Sequence, residues 1–139
     1  MKKYIEQNCI SLSVDCDKNF FGYGDRDVLF DVLGNYISNA VSHCSGEKRI
    51  SVTATEHDSV FKVSVFNTGE AIAPEDIDHI WDSFYRADKS HSRAQGRFGL
   101  GLSIVSLAQK QHGQKYGVTN RENGVEFWFN IAKGKNESK

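Results

Sequence analysis

Asn35-Tyr36-Ile37-Ser38-Asn39-Ala40 lies in the middle of the stretch on which the fold turns, residues 27–44. Within that stretch Val28, Leu29, Val32, Leu33, Tyr36, Ile37, Ala40 and Val41 recur at intervals of three and four, which predicts an amphipathic helix with one buried face. Asp25 or Asp27 is the expected cap at its start. Asn35 and Asn39 are four apart, one above the other on the same side of that helix. An asparagine must satisfy both a carbonyl and an amide. A stacked pair therefore points to a polar target, such as a metal with its waters or a nucleotide; two surface asparagines are the plainer alternative.

Outward from this helix the pattern alternates between strands and helices. Ile10, Leu12 and Val14 alternate as in a strand with one buried face, and Phe20-Phe21-Gly22-Tyr23 reads as a second, short extended piece. After the turn at Ser45-Gly46-Glu47, residues 49–55 and 60–66 alternate as a hairpin around His57-Asp58-Ser59. Ala73-Pro74-Glu75-Asp76 has the proline and acids of a helix start, with Ile77, Ile80, Trp81 and Phe84 as the expected buried face. Residues 85–97 have no periodicity and read as a long polar loop of the kind that forms lids. Gly99-Leu100-Gly101 is expected to open a helix that runs to His112 and stops at Gly113. Strands 115–119 and 125–131 are expected to meet at Asn123-Gly124. The sum is an α+β two-layer sandwich, a mixed sheet on about three helices, as one domain structured over about 10–131 with a polar tail at 132–139.

The 139 residues suffice for one core. Seventeen Lys and Arg against eighteen Asp and Glu leave a formal charge of −1, without the basic excess of a nucleic-acid or anionic-membrane binder, so anion binding must be local. Three cysteines, Cys9, Cys16 and Cys44, argue against a disulfide framework and for a reducing compartment. No apolar run approaches the roughly 20 residues that cross a bilayer, so the chain is expected to be soluble as it stands and, from its abrupt ends, part of a longer protein.

Two further features add to the asparagine pair. Phe66-Asn67-Thr68-Gly69-Glu70-Ala71-Ile72 follows a strand; Asn67 can offer a base edge a donor and an acceptor, and a glycine lets backbone approach a ligand closely. Gly96-Arg97-Phe98-Gly99-Leu100-Gly101-Leu102 runs into a helix, where free backbone N–H groups and the helix dipole suit phosphate. The loop before it carries Arg86, Lys89, Arg93 and Arg97 against Asp88, a local positive excess that suits a polyphosphate.

In this order the features resemble the ATP-binding catalytic domain of bacterial sensor histidine kinases, within the Bergerat-type superfamily that also holds topoisomerase-, mismatch-repair- and chaperone-type ATPases. Residues 35–40 resemble its N box, Asn67-Thr68-Gly69-Glu70-Ala71-Ile72 its first glycine box, and Trp81-Asp82-Ser83-Phe84-Tyr85-Arg86-Ala87-Asp88 its aromatic F box. Gly99-Leu100-Gly101-Leu102-Ser103-Ile104-Val105 resembles the second glycine box, and Gly124-Val125-Glu126-Phe127 the closing strand motif. The wording of residues 66–70 and 116–129 is similar to Gram-positive kinases related to the vancomycin-resistance sensors.

The resemblance implies a mainly antiparallel sheet of about five strands on about three helices, with an ATP lid. It implies ATP and Mg²⁺ as cofactors, with Asn39 as the metal ligand and Asn35 on the phosphate side. Asn67 would meet the adenine amine, Gly69 would let the base lie against backbone, and Ile72 and Phe84 would line the site. His43 stands where a ring usually packs on the base or ribose. Arg86 would reach the phosphates, with Arg97, Gly99, Leu100 and Gly101 where the lid meets its helix. The departures are Asn67 where the family usually has Asp, Ser42 where a phosphate-contacting Lys is frequent, Ala71 for the second glycine, and Arg97-Phe98 for a small pair.

The implied function is donation of the γ-phosphoryl group of ATP to a histidine on a separate dimerisation and phosphotransfer domain of the same kinase, from which a response regulator is served. None of His43, His57, His79, His91 and His112 has the acid and proline context of that acceptor, and Pro74 is the sole proline, so the acceptor is expected elsewhere. The expected location is the cytoplasmic side of a membrane sensor. The alternatives are a degenerate nucleotide-binding regulatory module that acts through protein contacts, and a serine kinase of anti-sigma-factor type.

Overall fold

In the computed structural model, residues 11–15, 22–23, 26–82 and 98–133 are described. Phe84, Arg86 and Arg97, with the lid loop at 85–97, lie outside the described residues, as do Cys9 and Cys16. The elements are β1 (Ser11–Asp15), β2 (Gly22–Tyr23), α1 (Arg26–His43), β3 (Arg49–His57), β4 (Val60–Thr68), α2 (Pro74–Ile77), α3 (Phe98–His112), β5 (Tyr116–Arg121) and β6 (Gly124–Lys133). The strands form one mixed sheet in the order β1-β3-β4-β6-β2, with β5 also paired to β6. β1 runs parallel to β3, and every other pair is antiparallel. About five strands were expected; the two-residue β2 makes six.

The core lies between one sheet face and the helices α1 and α3. Val32, Tyr36 and Ala40 recur every four residues on α1, and Leu102, Val105 and Ala108 every three on α3; all are buried. They meet Ile50, Val52, Val65, Val125, Phe127 and Phe129 from the sheet. Tyr36 is the hub: its ring lies 5.3 Å from Phe127 and 5.7 Å from Phe129, and its hydroxyl donates to the Trp128 carbonyl at 3.0 Å. Burial pushes the Tyr36 phenol well above its usual range, with the nearby Tyr116 adding to the shift. The hydroxyl therefore stays protonated and keeps its bond to β6.

The structure corrects the expected helix that starts at Ala73-Pro74 and the expected turn at Asn123-Gly124. The helix expected to present Ile77, Ile80, Trp81 and Phe84 is only four residues long, Pro74–Ile77. Beyond it the chain closes tight turns, His79 N–H to Asp76 O at 2.9 Å and Asp82 N–H to His79 O at 3.0 Å, and these deliver Ile80 and Trp81 to the core without a helix. α3 begins at Phe98, one residue before the expected opening at Gly99, so Gly99 and Gly101 belong to its first turn. Trp128 alternates onto the sheet face opposite the helices, where Lys62 Nζ sits 4.9 Å from its ring centre.

Gly124, expected in the β5–β6 turn, is instead the first residue of β6. A Cβ there would stand 2.0 Å from the Asn67 carbonyl, so only glycine lets β6 come this close to the end of β4. The turn falls on Glu122-Asn123, and β6 continues past 131 to Lys133.

Candidate nucleotide site

The last turns of α1, the end of β4 and the loop after it converge on one cavity of about 460 Å³. α1 contributes Asn39, Ser42 and His43; β4 contributes Asn67; the loop and α2 contribute Glu70, Ala71, Ile72 and Asp76; Val125 and Phe127 line it from β6. Three of the residues singled out by sequence, Asn39, His43 and Asn67, are thus gathered although 24 to 28 positions separate the first two from the third. Ile72 lines the same space.

Asn39 is 7% exposed and lines the cavity. Asn67 is 1% exposed, and its amide nitrogen donates to the carbonyls of Thr68 at 3.0 Å and His43 at 3.5 Å. Gly69 sits beside it at φ +152°; a Cβ there would be 2.7 Å from the His43 carbonyl, so the glycine allows the loop to close against the end of α1.

Thr68 and Asn120 fix this end of the site. The Thr68 hydroxyl accepts from the Arg49 N–H at 2.9 Å and donates to the Ser45 carbonyl at 2.8 Å, tying β4 to the turn after α1. Asn120 on β5 clasps the glycine-box loop, accepting from Ile72 N–H at 2.9 Å and donating to Ile72 O at 2.9 Å. Sequence reading missed Asn120 because it sits within a strand beside a turn, where asparagine is ordinary. It also gave no role to the lining carboxylates Glu70, quoted only as part of the glycine-box stretch, and Asp76, read only as part of a helix start.

Asn35 does not line the cavity. It lies at the seam of α1 and α3, where a Cβ on Gly101 would be 3.3 Å from its Oδ1. The first glycine of the α3 motif, Gly99, and Leu100 share the first turn of α3, whose N–H groups have no partner within the helix. Burial lowers the His43 pKa, so the ring is neutral near pH 7. Burial also pushes the Cys44 thiol up, with the Thr68 hydroxyl and Lys48 countering part of the effect.

Residues 24–135 match the family described as histidine kinase-, DNA gyrase B- and HSP90-like ATPases. The sensor histidine kinase RppB of Synechocystis sp. is 33% identical over 104 residues, 74% of this chain and 23% of RppB, so the chain spans about a quarter of such a relative. The nucleotide-free catalytic domain of histidine kinase ThkA superposes with a TM-score of 0.79 at 32% identity, covering 95% of this chain and 85% of that one. Full-length ShkA in complex with AMPPNP gives a TM-score of 0.81 at 27% identity, over 96% of this chain and 28% of ShkA. ThkA in complex with the response regulator TrrA gives 0.77 at 29%, over 96% of this chain and 37% of that one. With four-fifths of its length inside the family match and its cavity built from the two asparagine-bearing motifs, the chain belongs to the histidine kinase-, DNA gyrase B- and HSP90-like ATPase family, as a histidine-kinase catalytic domain.

Proposed function

We propose that this domain binds MgATP in the cavity between α1 and the glycine-box loop and donates the γ-phosphoryl group to a histidine on the dimerisation and phosphotransfer domain of its parent sensor kinase. The observation that carries the reading is the convergence of Asn39 from α1 and Asn67 from β4 on one cavity. An amide oxygen is a hard ligand of the kind Mg²⁺ takes alongside its waters and phosphate oxygens, so the donor set fits that ion. When bound, Mg²⁺ neutralises charge on the phosphates.

Phosphoryl transfer needs positioning and charge stabilisation more than a protein nucleophile. Asn39 orients the phosphate end, Asn67 and His43 the base end, and Ile72 and Phe127 supply apolar walls for the base. Backbone N–H groups in the first turn of α3, at Gly99 and Gly101, suit phosphate oxygens, and Gly101 makes room for Asn35 at the seam. Arg86, Arg97 and Phe84 keep the phosphate-side and lid roles that the family resemblance gives them. No described helix is long and apolar enough to cross a membrane; the parent is proposed to be a membrane sensor with this domain on the cytoplasmic, ATP-containing side. The downstream partner is proposed to be a response regulator, the class that ThkA binds.

The test is transfer in trans. Mixed with labelled ATP and the parent's helical domain, this chain is expected to produce acid-labile, alkali-stable phosphate on that domain and almost none on itself. A regulatory module that acts through protein contacts is the second reading, favoured by the absence of Lys or Arg among the described residues that line the cavity. Nucleotide binding without any transfer would select it.

A further inference from the structure

β5 pairs with β6 on one side, and no described strand lies along its other side. Tyr116 and Val118 on β5 pack against the core, and the alternation puts Asn120 next on the same face, opposite Val125 across the β5–β6 ladder. Val125 lines the nucleotide cavity, and Asn120 stands just outside it. What Asn120 meets is the chain that closes the cavity: its Oδ1 accepts from the Ile72 N–H at 2.9 Å and its Nδ2 donates to the Ile72 carbonyl at 2.9 Å. One carboxamide thus takes both main-chain groups of a residue 48 positions away, as a neighbouring strand would. The same hairpin takes the loop at its start, where the Gly69 N–H donates to the Asn123 carbonyl at 3.1 Å. Residues 70–73 belong to no helix or strand, and Glu70, Ala71, Ile72 and Ala73 all line the cavity.

Resting on the nucleotide-site reading above, we propose that Asn120 is a positioning residue for nucleotide binding: through Ile72 it holds the glycine-box loop in the shape that closes the cavity, so that a ligand does not have to order the loop as it binds. The residue type follows from the demand. Holding an N–H and a C=O at once takes an acceptor and a donor together on a short stem, which a carboxamide has; a carboxylate only accepts, and alanine does neither. Asn120 and both of its bonds to Ile72 are exposed, so their removal costs the fold little. A loop set free, however, must be ordered again each time a ligand enters, and that cost is taken from affinity. Loss of the clasp therefore falls on nucleotide binding rather than on global stability.

Calorimetric titration of the whole chain with ADP and Mg²⁺, for the parent and Asn120→Ala, tests this together with amide hydrogen exchange of the nucleotide-free proteins. Asn120→Ala is expected to bind ADP about tenfold more weakly, through the loss of two hydrogen bonds and of a preformed loop. In the same variant the Ile72 amide is expected to exchange several-fold faster, while the amides of β4 and β6 keep the protection they have in the parent. A variant that binds ADP as tightly as the parent, or whose Ile72 amide exchanges no faster, overturns the inference and leaves the nucleotide site standing. So does a loss of affinity accompanied by an equal rise in exchange throughout β4 and β6, which would make Asn120 a residue of the fold alone. A parent that does not bind ADP overturns the nucleotide site and this inference with it. Should the alanine variant fail to fold, as circular dichroism would show, Asn120→Asp decides by the same two measurements: it keeps the acceptor for the Ile72 N–H and withdraws the donor to the carbonyl, so weaker ADP binding is expected and unchanged binding overturns the inference.

Discussion

Asn39 and Asn67 were legible as candidate site residues because their chemistry is unusual for where they stand, whereas His43 was singled out only by the family resemblance. Two amides on a helix that otherwise shows an apolar stripe, and a third at the end of an apolar strand, ask what satisfies them, and the structure brings Asn39 and Asn67 to one cavity. Asn35 has the same spacing signal but a different setting, against Gly101 at the helix seam, because the four-residue step places it one turn further from the cavity. Glu70 and Asp76 stayed without a role, since an acid in a turn after a strand and one in the first turn of a helix are both ordinary. At this scale His43 yields a pH prediction. Its folded pKa lies below the roughly 6.5 of the unfolded chain, so its contribution to stability is full above that value and is lost as pH falls toward the folded pKa, at up to about 1.4 kcal/mol per pH unit. His43→Phe removes that slope. Urea midpoints at pH 7.5 and 5.5 should therefore fall less with acid in the variant than in the parent, and an identical fall in both would contradict it.

Elements with a long, consistent period were read well, and short ones were not. α1 has eighteen residues of one helical pattern and begins and ends within one residue of expectation. α2 misled because Ile77, Ile80 and Trp81 have helical spacing, yet consecutive tight turns bring the last two to the core just as well. Gly124 misled because Asn-Gly is a common turn pair, whereas here the glycine serves strand contact with the Asn67 carbonyl. Gly124→Ala is accordingly expected to part the ends of β4 and β6, costing more than about 2 kcal/mol and weakening nucleotide binding together with stability. Thermal unfolding and titration of the same sample would show both losses, and a variant of unchanged stability would refute the close approach. Gln109 is fully buried on α3 and donates to Lys115 O at 3.2 Å and Asn130 O at 2.9 Å, joining the helix to the sheet. Gln109→Leu leaves those carbonyls a donor short and should cost about 1–3 kcal/mol in urea unfolding, with nucleotide affinity per folded molecule unchanged.

For the molecule as a whole, the alternation of periods two and 3.6 sufficed for a two-layer α+β sandwich, while the order β1-β3-β4-β6-β2 came only with the structure, because local patterning does not encode which strands pair across long separations. The same order places the glycine-box loop beside the end of α1 and so makes the site. The central claim is that this cavity holds a nucleotide through Asn39 and Mg²⁺. Titration calorimetry with a non-hydrolysable ATP analogue, for the parent and Asn39→Ala, each with Mg²⁺ and with EDTA, tests it most directly. The account predicts saturable one-to-one binding by the parent that Mg²⁺ strengthens, and loss of the Mg²⁺-dependent part in a variant that still folds. Equal affinity in parent and variant, or no binding to the parent at millimolar analogue, would contradict it.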